Sequence, residues 1–171
     1  MANLSQALTW PWMQAFVNSH GWIWPVCEMF HYIGMSMIVG FIGALDLRIL
    51  GAFKSVPIGA FKPLVNLAII GFIFNLIGGI IFVTGTATGA EFYVDNLSFQ
   101  LKVLFLVIAL VNLLLFRFSG LEERVNAVPG GGDAPGSAKA VAWISIISWV
   151  AIIVFGRLLM YNDTLLIFLG M

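Results

Sequence analysis

Four stretches of the chain are almost purely apolar for about 20 residues each, at about 24–45, 63–84, 97–118 and 140–160. A bilayer-crossing helix needs a run of roughly that length, so the pattern predicts four spans. Pro25 and Pro63 stand at the starts of the first two, where proline suits the first helical turn. Residues 4–19 (LSQALTWPWMQAFVNS) are too short and too broken by Pro11 to cross. Trp10, Trp12, Met13 and Phe16 sit there among Ser5, Gln6, Gln14 and Asn18, which predicts an amphipathic helix lying in the interface. His20 and Gly21 end it, and Trp22 and Trp24 continue the aromatic belt. Residues 119–139 are rich in glycine, proline and alanine and predict a flexible linker with no fold of its own. The tail LLIFLGM is too short to span and reads as an extension of the fourth helix or an interfacial segment. The fold expected is all-α: one integral membrane four-helix bundle.

Composition leaves no soluble alternative. Of 171 residues, 61% are hydrophobic and 9% charged, and the mean hydropathy is +1.03. A soluble domain carries about 25% charged residues. The lipid bilayer is therefore the first partner. The net charge is zero, which excludes the basic surface that nucleic acid requires. Cys27 is the only cysteine, so no intramolecular disulfide or cysteine-based metal cluster can form, and a small buried residue is its simplest role. The N-terminus lacks the basic and apolar regions of a cleavable signal peptide, so the first span is expected to direct insertion.

The basic residues orient the bundle. Arg48, Lys54, Lys62, Arg117, Arg124 and Lys139 fall in or beside the first and third loops. The segment before Trp24 and the second loop, GTATGAEFYVDN, contain none. By the positive-inside rule the N-terminus, the second loop and the C-terminus lie outside, and 119–139 is cytoplasmic.

Two cations remain inside the spans, Lys102 and Arg157. Glu28, His31 and Met35 share one helical face at i, i+3 and i+7. His31 lies seven residues past Trp24, roughly 10 Å into the membrane, and Lys102 at roughly 7–8 Å. Arg157 stands near the outer end of the fourth helix, with Tyr161 a turn later. Ionisable groups are costly in lipid, so this set is a candidate site in the outer leaflet, with Glu28 expected to pair with Lys102 or Arg157. The plainer alternative has the cations snorkelling to headgroups, Glu28 solvated at a helix start, and His31 bonded to a neighbouring helix. Snorkelling does not account for a carboxylate and an imidazole on one face at the depth of two cations. Gly71, Asn75, Gly78, Gly79 and Phe82 form a stripe on the second span, and Asn112 lies deep in the third.

Three pieces carry a resemblance: E-x-x-H-x-x-G followed by ALDLRILG, then FQLK with NLLLF, then GRLLMY. In that order and spacing the chain resembles a family of small bacterial four-helix membrane proteins, the domain-of-unknown-function family numbered 6644. The resemblance covers about Trp22 to Tyr161 and maps the motif onto Glu28, His31, Gly34, Asp46, Arg48, Lys102, Asn112, Arg157 and Tyr161. Members often have a histidine after the phenylalanine that closes the third helix, where this chain has Arg117. It implies a bacterial cytoplasmic (inner) membrane location. A looser likeness, resting on one early histidine and one lysine, is to the membrane protoporphyrinogen oxidase and copper-resistance families. In the oxidase family that histidine is taken to bind haem b.

Haem in a helix bundle needs an axial ligand, an apolar slot and cations for its propionates. His31 is the candidate iron ligand, and Lys102 and Arg157 the propionate partners. Gly34, Gly71 and Gly78 are expected to open the slot, lined by Phe30 and Phe105. No second well-buried histidine is expected, so Met35, Met29, Lys102, an open site or a partner's residue would have to serve as the second ligand. A quinone or small-acid site, with Glu28 and His31 exchanging protons, uses the same residues. The contrasting reading is a non-catalytic accessory or assembly subunit, in a homo-oligomer or larger membrane complex. Signatures of hydrolases, ATPases, zinc enzymes and inverted-repeat transporters are missing.

Overall fold

A computed structural model describes residues 2–170. Two short helices, α1 (Ala2–Leu8) and α2 (Pro11–Ser19), precede the first long helix, α3 (Ile23–Leu50). A 3-10 turn at Ile58–Phe61 leads into α4 (Lys62–Gly85), and α5 (Glu91–Val94) into α6 (Leu97–Phe118). Then come α7 (Leu121–Asn126), α8 (Gly136–Leu158), a 3-10 turn at Leu159–Tyr161 and α9 (Asn162–Phe168). There is no strand among the described residues. Four segments, Ile23–Leu50, Ile58–Gly85, Leu97–Phe118 and Gly136–Phe168, are long and apolar enough to cross a bilayer. The chain is a helical, multi-pass membrane protein.

The long helices pair as α3 with α4 and α6 with α8, and α3 also packs on α8. Small residues bring them close, as expected where lipid is as apolar as leucine and packing drives association. Gly34 of α3 meets the backbone of Gly71 and Asn75 so closely that a Cβ there would collide with the Gly71 carbonyl. On the α6–α8 side, Asn112 Nδ2 donates to the Val141 carbonyl at 3.0 Å. Asn96 caps α6 by accepting from the Phe99 N–H at 3.2 Å, and its Nδ2 reaches the Leu159 carbonyl at 2.9 Å.

The N-terminal segment is two helices rather than one. Pro11 suits the first turn of α2, and the preceding Trp10 is extended (φ −107°, ψ 103°), which breaks the segment there. Both pieces are tied to the bundle. Gln14 Nε2 donates to the Thr86 carbonyl at 2.7 Å, Thr9 Oγ1 accepts from the Ala90 N–H at 3.1 Å, and Val17 packs against Gly85.

The opposite end corrects the expectation of a flexible linker at 119–139. Arg48, fully buried at the last turn of α3, reaches carbonyls of two separate loops. Its Nε donates to Val56 at 2.6 Å, and its Nη2 lies 3.2 Å from the Lys54 carbonyl, 3.4 Å from Pro129 and 3.2 Å from Gly132. One guanidinium fork thereby joins loop 51–57 to loop 128–133. Gly51, at φ 110°, turns the chain out of α3 with its N–H on the Arg48 carbonyl. Gly130 lies so close to the Ser55 carbonyl that a Cβ would stand 2.6 Å from it. Leu121, Val125 and Ala134 join Leu45, Ile49 and Ile58 in one buried cluster. Outside it, Asp133 pairs with Lys54 at 2.9 Å and Lys139 at 3.7 Å, and these cations hold its carboxyl below the usual carboxylate range. The glycine- and proline-rich composition that suggests a linker here supplies close backbone approaches instead.

Candidate functional site

His31 occupies the α3–α4 interface one turn before the Gly34–Gly71 crossing. The same close approach that excludes side chains at Gly34 brings the two backbones within hydrogen-bonding reach of His31 and Asn75. They exchange two bonds: His31 Nδ1 lies 3.0 Å from the Asn75 carbonyl, and Asn75 Nδ2 donates to the His31 carbonyl at 2.8 Å. A carbonyl only accepts, so Nδ1 carries the proton and the Nε2 lone pair is left over. Nε2 has no hydrogen bond among the described residues. Gly78 gives the ring its place, since a Cβ there would stand 3.3 Å from Nδ1, and Phe82 packs on it with centroids 5.3 Å apart.

Lys102 comes from α6 and extends along α8, where a Cβ on Gly156 would lie 3.7 Å from its Nζ. Among the described residues the ammonium has neither an ion pair nor a hydrogen bond, and the side chain is only partly exposed. Glu28 accepts from the Trp24 indole N–H at 3.0 Å within α3. Above it, in the loop between α4 and α6, burial together with the nearby Glu28 charge pushes the Tyr93 phenol up to about 12. Tyr93 therefore stays a neutral hydrogen-bond donor at any physiological pH. Its ring packs on Phe99 at 5.4 Å, closing this end of the bundle.

His31 and Glu28 stand one turn apart on α3, and Lys102 stands on α6. No ion pair joins Glu28 to Lys102 or Arg157 among the described residues, contrary to the pairing expected. Arg157 is exposed, and its guanidinium carbon stands 5.4 Å over the Tyr161 ring, a cation–π contact at the bundle surface. Met35 is half-buried a turn below His31, while Met29 is 60% exposed on the outer face of α3.

The glycine slot is also corrected. Gly34 and Gly71 are filled by each other's backbones and Gly78 by the His31 ring, so all three create close packing. Phe30 pairs with Phe74 at 5.4 Å, and Phe105 stacks on Phe155 at 5.8 Å. Tyr93 was absent from the sequence-based candidates, because nothing in a four-residue loop helix marks it as lying over Glu28.

Two motif residues have other surroundings. Arg48 is the loop clamp described above. Asp46, two residues earlier and so on a different face, is 5% exposed, and its Oδ2 is buried without a hydrogen-bond partner. No group of three or more histidine, cysteine, aspartate or glutamate side chains is arranged to hold a metal ion among the described residues. No protein-family model matches the chain, and neither does any curated protein or solved structure.

Proposed function

We propose that this protein is a haem b-binding redox subunit, with His31 Nε2 as the axial ligand. The observation that carries the reading is the His31–Asn75 pair. A histidine that ligates a metal almost always donates its other ring N–H to a carbonyl or carboxylate, which fixes tautomer and ring orientation. His31 makes that bond through Nδ1 at 3.0 Å, and Nε2 has none. Lys102 supports the same reading, because an ammonium in a membrane span with no anionic partner is suited to an acidic group on a ligand. It would neutralise a propionate.

Bound haem would supply reversible one-electron chemistry at its iron. The chain's own residues have separable tasks. His31 would donate its Nε2 lone pair to the iron, and the Asn75 carbonyl, which holds the ring through Nδ1, would raise its basicity. Lys102 balances carboxylate charge. The caps made by α1, α2 and α5 limit access of water from the adjacent end. Because Gly34, Gly71 and Gly78 are close-packed, haem would lie outside the α3–α4 crossing, and Met35, Lys102, an external ligand or a partner chain would complete its surroundings. The basic residues set the direction, with the Arg48 end cytoplasmic and the His31 site in the outer leaflet of a bacterial inner membrane.

The test is an absorption spectrum of protein purified from haem-replete cells, oxidised and dithionite-reduced, with haem quantified by extraction. A Soret band with reduced α and β bands at near-stoichiometric haem is expected, and both are expected to be lost in His31→Ala. Colourless wild-type protein would overturn the reading. It would favour an accessory subunit, in which the two His31–Asn75 bonds act only to clamp α3 on α4.

A further inference from the structure

The half of the bundle nearer Arg48 contains a cavity of about 210 Å³ between α3, α4, α6 and α8. Most of its wall is aliphatic. Asp46 lies in that wall beside the Ser145 hydroxyl, with Asn66 and Asn112 also present. Asp46 is 95% buried in the complementary sense of its 5% exposure, and its Oδ2 lacks any partner. The wall runs out to Ile69 of α4 and to Leu110 and Leu113 of α6, each 44–48% exposed on the outer surface of the bundle. A molecule dissolved in the bilayer would enter sideways between α4 and α6. We propose that this cavity binds a lipid-soluble hydroquinone, with a phenolic hydroxyl donating to Asp46.

The chemistry of the wall selects that class. A cavity of about 150 Å³ lined by apolar side chains takes benzene, so about 210 Å³ takes a substituted ring. A bulk acyl chain would fill the space but leave Asp46 Oδ2 unpaired. The cations of the wall, Lys62 and Arg117, are exposed, so a phosphate headgroup would meet them at the surface and leave Asp46 Oδ2 unpaired. A hard metal cation requires at least six oxygen ligands, and no group of three or more histidine, cysteine, aspartate or glutamate side chains is arranged to hold one among the described residues. The second acid, Glu122, is at the mouth with Arg117, 4.0 Å away. A ring with a hydroxyl donor on an apolar tail satisfies both the aliphatic wall and the lone polar acceptor. This site lies on the opposite half of α3 from His31, and the inference does not rest on haem binding.

The experiment is calorimetric titration of the detergent-solubilised protein, under argon, with n-decylhydroquinone and with its dimethyl ether. Saturable one-site binding is expected, with the ether about tenfold weaker because it has no hydroxyl to donate. Asp46→Leu should weaken hydroquinone binding by about the same factor. Leu113→Trp plugs the mouth without touching the carboxyl and should abolish binding, so the test stands even if Asp46→Leu fails to fold. His31→Ala should leave this affinity unchanged whatever it does to haem. Equal affinity for both ligands, wild-type binding in the Leu113→Trp protein, or displacement of the hydroquinone by millimolar sodium chloride but not choline chloride would each overturn the proposal.

Discussion

Arg48 and Lys102 are both cations near the ends of apolar helices, and the structure treats them in opposite ways. Arg48 is fully buried, and its guanidinium reaches four backbone carbonyls. Lys102 extends along Gly156 of α8 with no such partner. The difference lies in the neighbours. Two loops converge on Arg48 and present carbonyls that would otherwise be unsatisfied away from water. Around Lys102 the neighbouring helices already use their carbonyls in their own ladders. A cation held by the carbonyls of two loops is structural even with its Nη1 unpaired, and one with no partner at all is available to a ligand. The same distinction separates Asn75, whose side chain is committed to the His31 carbonyl, from His31 Nε2, which is committed to nothing.

The sharpest way to break the comparison is Arg48→Ala. Removing the fork strands carbonyls of both loops, and the loss is expected to reach at least about 3 kcal/mol. Thermal unfolding in detergent measures it, and rapid proteolysis within 119–139 should accompany it. Arg48→Lys should not restore stability, because an ammonium cannot span carbonyls from two loops in the fork geometry. By contrast Lys102→Met should be neutral or stabilising in the ligand-free protein, since it removes an unpartnered charge from an apolar helix.

Gly34→Ala comes next. Its Cβ would collide with the Gly71 carbonyl, and overpacking of this kind costs about 1–3 kcal/mol. It should also separate His31 from Asn75, so haem binding, if present, should fall with stability. Asn75→Ala removes only the side-chain bond and keeps the carbonyl that holds Nδ1. Interhelical bonds in membranes average about 0.6 kcal/mol, so a small loss of stability with a retained haem spectrum is expected.

The smallest effect is at the surface. Lys54 and Lys139 hold the Asp133 carboxyl below its usual value of 3.8, so its folded-state pKa lies below its unfolded one. The stabilisation is present above the unfolded value and is lost as pH falls through the folded value. Asp133→Asn should therefore lower the melting temperature slightly at neutral pH and not at the acid end of that window. About 1 M salt should erase the difference.

Long apolar runs made the four spans readable, because period and length suffice where lipid is the solvent. The start of α8 lies before the apolar stretch that predicts it, since Gly136 is helical through packing that local pattern does not encode. The segment 119–139 reads as a flexible linker for the same reason. Its glycines look like those of a flexible linker until the Ser55 and Lys54 carbonyls that they approach are in view. At the site, His31 and Lys102 stood out because such residues are rare in spans. The expected glycine slot failed because a small residue on a helix face admits a neighbouring backbone as readily as a ligand. Asp46 stands out in the sequence only as a position of the resembled motif, and its burial in a cavity wall depends on α4, α6 and α8 together.

The most direct test of the central claim is imidazole rescue of His31→Gly. Haem-loaded wild-type protein is compared with the variant, with and without about 10 mM free imidazole, by reduced-minus-oxidised spectroscopy. Axial ligation by His31 predicts loss of the Soret and α bands in the variant and their return with imidazole. An unchanged spectrum in His31→Gly without imidazole would contradict it.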